Sequence, residues 1–393
     1  MNIEEIQKEL VFYKIDGWLL YDFHGSNPLA VSVMQIPRGV LNTRRCFYFI
    51  PKEGVPIKLV HKIEGHNLDH LPGEKKTYFS HHEMHKLLGE ILKKVKTVAM
   101  EYSPNQAIPT VSVIDGGLID LVKGYGAKVV SSAPFLQPFT CLMSDEQYRL
   151  HKEAGEVLEG GVQGAWDLIR SRLRRDELIN EYQVQQFILD YFERKGCITE
   201  GVPICAVNGN SADPHYIPTK GKHTVIKKGD FILIDLWCKK DLPHAVFADI
   251  TRVGVAAEKP KAKEREIFSL VRKAQKEGTE LIIQRYREGK EIQGREVDTL
   301  VRSVIKGGGY GDYFTHRTGH NIYTVNHGPG ANLDAIETDD HRPLIPRTCF
   351  SIEPGIYLPG EFGVRLEYDV YIHPEGKVEV THTPQEDLVC LLK

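Results

Sequence analysis

Asp249 stands fourteen positions after Asp235, and Glu367 fourteen after Glu353; the second pair follows the first by 118 positions. Asp235 interrupts the apolar run Phe231-Ile232-Leu233-Ile234-Asp235-Leu236-Trp237, and Glu367 sits within Val364-Arg365-Leu366-Glu367-Tyr368-Asp369-Val370. Such runs read as buried strands, where an ionised carboxylate is costly unless a positive group balances it. A lone acid in an apolar run is most often a cap or an ion-pair partner. Four in two equally spaced pairs call for a shared counter-charge, and a pair of divalent cations is the economical one.

The surroundings of the pairs repeat as well. Residues from about 144 onward carry one plan twice: a long helix, a shorter helix, then a hairpin with two carboxylates. Helical periodicity predicts about 144–171 and 181–195 in the first copy, the second ending at Gly196. In the second copy it predicts about 261–288 and 295–306, ending at Gly289 and Gly307. Fourteen residues of continuous strand would hold two acids about 46 Å apart. The turn-like segments Lys239-Lys240-Asp241-Leu242-Pro243 and Pro359-Gly360-Glu361-Phe362-Gly363 instead fold each pair onto neighbouring strands, so that all four acids converge on a pseudo-twofold axis. Strand alternation puts Thr251 on the face of Asp249, and Arg365 and Asp369 on that of Glu367. Arg365 there either orients a metal-bound glutamate or forms a simple surface ion pair.

Residues 1–140 alternate strand-like runs (Trp18-Leu19-Leu20-Tyr21, Cys46–Ile50, Ile57–Val60, Val98–Met100) with helical patterns, which predicts a separate α/β domain. A helix begins at Ser80 with Glu83 as its capping-box partner. The segment Pro134-Phe135-Leu136-Gln137-Pro138 is expected to break regular structure, and Ser144 with Gln147 to start the next helix. The boundary therefore falls near 140, with the second domain over 141–393. His81-His82-Glu83-Met84-His85 lacks the glutamate placement of a zinc-protease helix and reads as a capped amphipathic helix.

Fifty basic and 53 acidic residues are mixed along the chain for a net charge of −3, without the basic stripe that nucleic acid requires. Seven cysteines without a CxxC motif read as reduced core thiols. The first residues are acidic and amphipathic, and no apolar stretch reaches the ~18 residues of a membrane span. These features place the protein in the cytoplasm, away from membranes and nucleic acid.

Histidine supplies a nitrogen donor: His316, His320 and His327 lie in the segment between the hairpins, and His215 precedes the first hairpin much as His327 precedes the second. Here the chain resembles a known family. Ile234-Asp235, Ala248-Asp249-Ile250-Thr251-Arg252, Gly319-His320, Ser351-Ile352-Glu353-Pro354-Gly355 and Val364-Arg365-Leu366-Glu367 stand in the order found in the pita-bread metallopeptidases, the family of methionine aminopeptidase, aminopeptidase P and prolidase. Residues 1 to about 140 resemble the N-terminal domain of its creatinase, aminopeptidase P and prolidase branch. The resemblance implies an α+β chain: a pita-bread catalytic domain of duplicated ααββ plan, preceded by a smaller α/β creatinase-like domain. It implies five metal ligands, Asp235, Asp249, His320, Glu353 and Glu367, with one acid from each hairpin able to bridge the ions. Four carboxylates and two divalent cations balance. Oxygen-rich donors with one nitrogen suit manganese, with iron, cobalt or zinc as other occupants.

By the same resemblance the function is hydrolysis of the Xaa-Pro bond at the N-terminus of peptides by a metal-bridging hydroxide, as in aminopeptidase P. Glu353 takes the water's proton; His215 and His327 contact the scissile amide; Tyr357 and Arg365 form a polar relay beside the metals. A homodimer is implied. The chain departs from the pattern at Asn321 and Tyr323, where the family's Gly-His-Gly-Ile-Gly has glycines, and at Trp237, where small residues are common; larger side chains there would reshape the pocket. Ala331 stands where many prolidases carry the arginine that holds a dipeptide's carboxylate, which favours the aminopeptidase form. The alternatives are an Xaa-Pro dipeptidase, a hydrolase of a small non-peptide amide, and a non-catalytic binding protein of the same fold.

Overall fold

A computed structural model describes residues 2–37 and 39–393. The chain forms two compact units, Met1–Thr140 and Cys141–Lys393. Among the described residues no helix is long and apolar enough to cross a membrane.

The first unit contains α1 (Ile3–Phe12), β1 (Gly17–Asp22), α2 (Pro28–Val33), β2 (Cys46–Pro51), β3 (Ile57–His61), β4 (Glu74–Tyr78), α3 (His81–Leu92), β5 (Thr97–Met100), α4 (Gly116–Gly124), β6 (Lys128–Ser131) and α5 (Ala133–Thr140). Its sheet has the order β4-β3-β2-β1-β5-β6, with β1, β5 and β6 parallel and β2 antiparallel to its neighbours. Every residue of β1 is buried because both faces are covered. Trp18 and Leu20 join the core with α1, α2 and α5, whereas Leu19 and Tyr21 join the one with α3 and α4.

Two local expectations are corrected here. The proline-bounded segment does not break structure: it forms α5 with Pro138 inside. Pro138 lacks the N–H that would bond to Pro134 four residues earlier, and the Pro134 carbonyl accepts the Tyr13 hydroxyl instead (3.1 Å). At α3, Ser80 Oγ caps the Glu83 N–H (3.2 Å), but the Glu83 carboxylate reaches back to Phe79 N rather than to Ser80 N.

The second unit repeats its plan as the spacing predicts. Its first half holds α6 (Asp145–Arg174), α7 (Glu181–Arg194), β7 (Cys197–Ile198), β8 (Ile204–Val207), β9 (Phe231–Lys240) and β10 (Ala248–Val255). The second half holds α8 (Ala262–Arg287), α9 (Gly294–Gly307), β11 (Asn321–Ile322), β12 (Cys349–Ile352), β13 (Gly355–Leu358), β14 (Phe362–Arg365), β15 (Tyr368–Ile372), β16 (Val378–Val380) and β17 (Val389–Cys390). Helix α6 opens with the full Ser144/Gln147 capping box. Gly307 lies within α9, and Gly309 takes the left-handed conformation that follows it (φ 88°).

Parity sets the architecture around β9 and β10. Ile232, Ile234, Leu236, Ala248 and Ile250 pack against α6 and α7, while Phe231, Leu233, Val253 and Val255 face the core built on α8 and α9. Asp235, Trp237, Asp249 and Thr251 share the parity of this second set, and where the core stops that face lines a cleft. The second hairpin is not continuous: β12 pairs with β15 and β13 with β14, so Glu353 and Glu367 sit in the breaks rather than inside strands. Glu367 instead bridges to Thr251 on β10, joining the two halves. Six of the seven cysteines are buried, and Cys390 is half-buried.

Candidate metal centre and substrate cleft

The first hairpin places Asp235 opposite Thr251, and Asp249 opposite Trp237. Asp235, Asp249, His320, Glu353 and Glu367 line one cavity of about 340 Å³ together with His215, Trp237, Asn326, His327 and Arg365. One ligand atom from each of Asp249, His320 and Glu367 lies within 4.8 Å of the others, a grouping able to hold a metal ion. His320 Nε2 is 3.4 Å from Glu353 Oε1 and 3.9 Å from Asp249 Oδ2. Its Nδ1–H donates to the Asn321 carbonyl (3.3 Å), which leaves the Nε2 lone pair facing the acids. Gly319 allows the approach, since a Cβ there would stand 2.0 Å from the Ser351 carbonyl.

The electrostatics are those of a cluster short of positive charge. Burial, then the carboxylates of Asp235 and Asp369, holds Asp249 well above the usual carboxylate range. Burial, then Asp249, Glu353 and Asp235, does the same for Glu367. Burial pushes Glu353 up to about 7 against the pull of Arg365 and Arg317. His320 is held well below its usual value by burial and by His327, so its imidazole is neutral. Asp249 Oδ1 is fully buried without a hydrogen bond among the described residues. An orphaned carboxylate oxygen, mutually repelling acids and an available imidazole nitrogen fit divalent cations.

Hydrogen bonds fix the remaining atoms. Thr251 Oγ1 donates to Glu367 Oε2 (2.7 Å) and accepts from Arg365 Nε (3.1 Å). Arg365, buried rather than on the surface, also pairs with Asp235; it therefore holds the aspartate of the opposite hairpin directly and reaches Glu367 through Thr251. Its Nη1 donates to the Tyr357 hydroxyl (3.2 Å), which donates in turn to His316 Nε2 (2.7 Å). His316 Nδ1–H is held by the Arg317 carbonyl (2.7 Å), completing a chain of hydrogen bonds. His215 and His327 stand at the exposed side of the cleft, the ring of His327 4.2 Å from that of His320. Trp237 lines the cleft, its indole N–H donating to the Glu200 carbonyl (2.5 Å).

Several contributors lay outside the sequence reading. Buried Glu181, in the first turn of α7, accepts from Val207 N (2.8 Å), Asn210 Nδ2 (2.9 Å), Tyr216 Oη (2.6 Å) and Thr224 N (2.6 Å), and so pins the loop carrying His215. Asp369 does not join the Glu367 carboxylate: its Oδ2 accepts the Asp249 N–H (2.8 Å) and faces His382 Nε2 (2.9 Å). Asn326 Nδ2 donates to Asp249 Oδ2 (2.9 Å). Asn321 and Tyr323 do not line the cleft. Asn321 clamps the Cys349 carbonyl (2.8 Å) and Gly330 N–H (2.9 Å), and the Tyr323 hydroxyl reaches the Leu142 carbonyl (3.3 Å).

The chain is 31% identical over 267 residues to the Bacillus subtilis protein YkvY, a match that covers 68% of this chain and 67% of that one. It is 35% identical over 183 residues to an Xaa-Pro dipeptidase of Pyrococcus furiosus, 47% of this chain and 48% of the relative, so that match spans about half of each. Its fold is that of the X-Pro aminopeptidase from Thermotoga maritima, with a TM-score of 0.61 at 21% identity over 98% of this chain and 99% of that structure. The model of metallopeptidase family M24 matches residues 149–374, more than half of the chain and the whole region that builds the cleft. The protein belongs to metallopeptidase family M24.

Proposed function

We propose that the protein hydrolyses the Xaa-Pro bond at the N-terminus of peptides, as an aminopeptidase P-like enzyme, with two divalent ions held by Asp235, Asp249, His320, Glu353 and Glu367. Manganese suits this oxygen-rich set best. One observation carries the reading: four carboxylates and a neutral imidazole are gathered in one cleft, with an orphaned oxygen among them. When bound, the ions would polarise the amide carbonyl and acidify the attacking water.

The chain's own groups supply the rest. Glu353, held by Ser351 Oγ (3.1 Å), receives the water's proton on its carboxylate and delivers it to the departing nitrogen. His327 and His215 face the scissile amide from the open side, one donating to the developing oxyanion and the other to the leaving group. Arg365 holds Asp235 in place while Tyr357 and His316 hold Arg365. Trp237 and Val325 give the cleft an apolar wall that excludes water.

A second reading, the strict Xaa-Pro dipeptidase, rests on Arg317. Ala331 offers no cation, but Arg317 lines an adjoining cavity of about 530 Å³ with His215, His327 and Glu353. Its guanidinium has no hydrogen-bond or ion-pair partner among the described residues, as a group reserved for a dipeptide's carboxylate would require. Assay of manganese-loaded protein against Xaa-Pro dipeptides and longer Xaa-Pro peptides, with Arg317→Met in parallel, separates the two. Turnover of longer peptides that survives Arg317→Met supports the first. Turnover of dipeptides alone, lost with Arg317, supports the second. Full activity in Asp235→Ala sinks both.

A further inference from the structure

The α3/α4 face of the first unit carries two adjoining cavities, about 710 Å³ and about 660 Å³, that share Tyr21, Arg45 and Asp115. Both are in the size range of small-molecule sites. They open where the parallel strand β1 ends and α4 begins: Tyr21 is the penultimate residue of β1, and Asp115 is the N-cap of α4. The crevice beyond the carboxyl ends of strands is where α/β sheets take ligands.

Three side chains there hold unused binding capacity. Tyr21 is 6% exposed, yet its hydroxyl makes no hydrogen bond among the described residues. Its neighbours are satisfied: Tyr78 donates to the Arg45 carbonyl (2.6 Å), and Tyr125 to the His85 carbonyl (2.9 Å). Burial holds the Tyr21 phenol at about 12, so it remains a donor. Arg45 has its carbonyl engaged, while its guanidinium has no ion-pair or hydrogen-bond partner among the described residues. Asp115 spends Oδ1 on the Leu118 N–H (2.9 Å) and keeps Oδ2.

Arg45 and Asp115 are near enough for both charges to act on the Tyr21 phenol, but they form no ion pair with each other. The two charges common to both cavities are therefore one positive and one negative, held apart; beyond them Asp120 lines the first cavity, and Arg44, already donating to Thr43, lines the second. A simple carboxylate would meet Asp115, and a simple amine would meet Arg45. Only a molecule bearing both charges satisfies both groups. Phe47, Leu118, Leu121 and the ring of Tyr125 supply an apolar wall for the rest of it.

We propose that this cleft binds a small zwitterion with an apolar side chain, in chemical class a free α-amino acid, its carboxylate on Arg45 and the Tyr21 hydroxyl and its ammonium on Asp115. The planar guanidinium fork suits the carboxylate, and the open Asp115 oxygen accepts the ammonium.

Calorimetric titration of the full-length protein with L-phenylalanine, hydrocinnamate and phenethylamine tests it. Saturable binding of L-phenylalanine is expected, with each singly charged analogue weaker by at least about tenfold. Arg45→Met and Asp115→Asn should each weaken L-phenylalanine by about tenfold, and Tyr21→Phe by about threefold. Asparagine retains the helix cap, and Tyr21→Phe removes a single oxygen, so these two keep the test valid should Arg45→Met fail to fold. Three results overturn the proposal: no saturable heat, hydrocinnamate binding as tightly as L-phenylalanine, or affinity unchanged in the folded variants, which would put the amino acid in the catalytic cleft.

Discussion

Replacing Arg342 with methionine should destabilise the second unit and loosen the loop behind His327. Arg342 is 1% exposed, and its guanidinium makes four hydrogen bonds. Nε and Nη2 bind Asp340 (2.9 and 2.6 Å), while Nη1 and Nη2 bind the carbonyls of Pro329 and Gly330 (2.7 Å each). Burial alone would raise Asp340, but the hydrogen bond and charge of Arg342 keep its carboxyl below the usual range. Methionine nearly conserves volume and strands a wholly buried carboxylate, leaving it only the N–H groups of Asn332 and residue 342 (3.1 Å each). Removing one partner of such a pair costs about 3–5 kcal/mol. The two freed carbonyls add to this only where water cannot reach them. For a unit of this size the cost is a fall in Tm on the order of 10 °C. Scanning calorimetry of the full chain resolves it, with the two units allowed separate transitions.

The double variant Asp340→Asn, Arg342→Met should recover more than half of the loss, because no buried charge is left unpaired. Pro329 and Gly330 follow His327 by two and three residues, so the single variant should also lose about tenfold or more in kcat/KM at temperatures where it is fully folded. A single variant melting within about 2 °C of the parent, or a double variant no more stable than the single, would refute the argument that this ion pair holds the loop.

Thr251→Val keeps shape but removes the donor to Glu367 and the acceptor for Arg365; metal affinity, read by competition with a chelating indicator, should fall about 10–100-fold. Loading the metal-free protein near neutral pH should release protons, since burial pushes Glu353 up to about 7 in the metal's absence; the enthalpy of loading would then depend on the buffer's ionisation heat, and no such dependence would sink the idea. In the first unit, Glu101 is wholly buried, accepting from Trp18 Nε1 (2.7 Å) and Asn27 Nδ2 (2.8 Å), and burial raises it from 4.5 to about 7. The folded state then keeps a proton that the unfolded chain releases, so the contribution of Glu101 to stability is largest below pH 4.5, falls by about 3 kcal/mol as pH rises to 7, and is flat above. Glu101→Gln should flatten that slope in denaturant titrations of the first unit's transition.

What could be read from the sequence followed local rules. Capping residues and helical spacing located α6 to α9 within a few residues, because those signals lie within one turn of the chain they describe. Hairpin logic brought Asp235 to Asp249, since β9 and β10 are continuous strands. Parity across the second hairpin held for Arg365, which lines the cleft with Glu367, but not for Asp369, which turns to the Asp249 N–H and His382. That the Arg365 guanidinium also crosses to Asp235, 130 residues away, no count along the chain could show. Asn321 shows the same limit. That a larger side chain replaces glycine is plain in the sequence, but its direction depends on the Cys349 carbonyl and the Gly330 N–H, neither of which is near it in the chain.

The bend in the second hairpin has a physical reason that ties the fold to the site. Pro354 has no N–H to give to a ladder, so a strand through Glu353 and Pro354 loses one of its two bonds there, and the Leu366 carbonyl accepts Gln275 Nε2 instead (3.0 Å). The Glu353 N–H finds the Thr318 carbonyl (2.7 Å), two residues before His320, and the Glu367 N–H finds the Thr251 carbonyl (3.3 Å), two residues after Asp249. Each break in the second hairpin is thus closed by a bond to a segment that carries another candidate ligand. The Leu366 N–H still reaches the Pro354 carbonyl (3.4 Å), so the N–H groups of Glu353 and Glu367, one position to either side, point away from the hairpin and are open to these outside partners. Of the two, the Glu367–Thr251 bond registers the second half of the duplication against the first, and the Glu353–Thr318 bond ties Glu353 to the segment of His320 within the second half. Pro354→Ala restores the missing N–H. On this reasoning it should leave the helices intact while weakening metal binding, and unaltered metal affinity would show that the bend is set elsewhere.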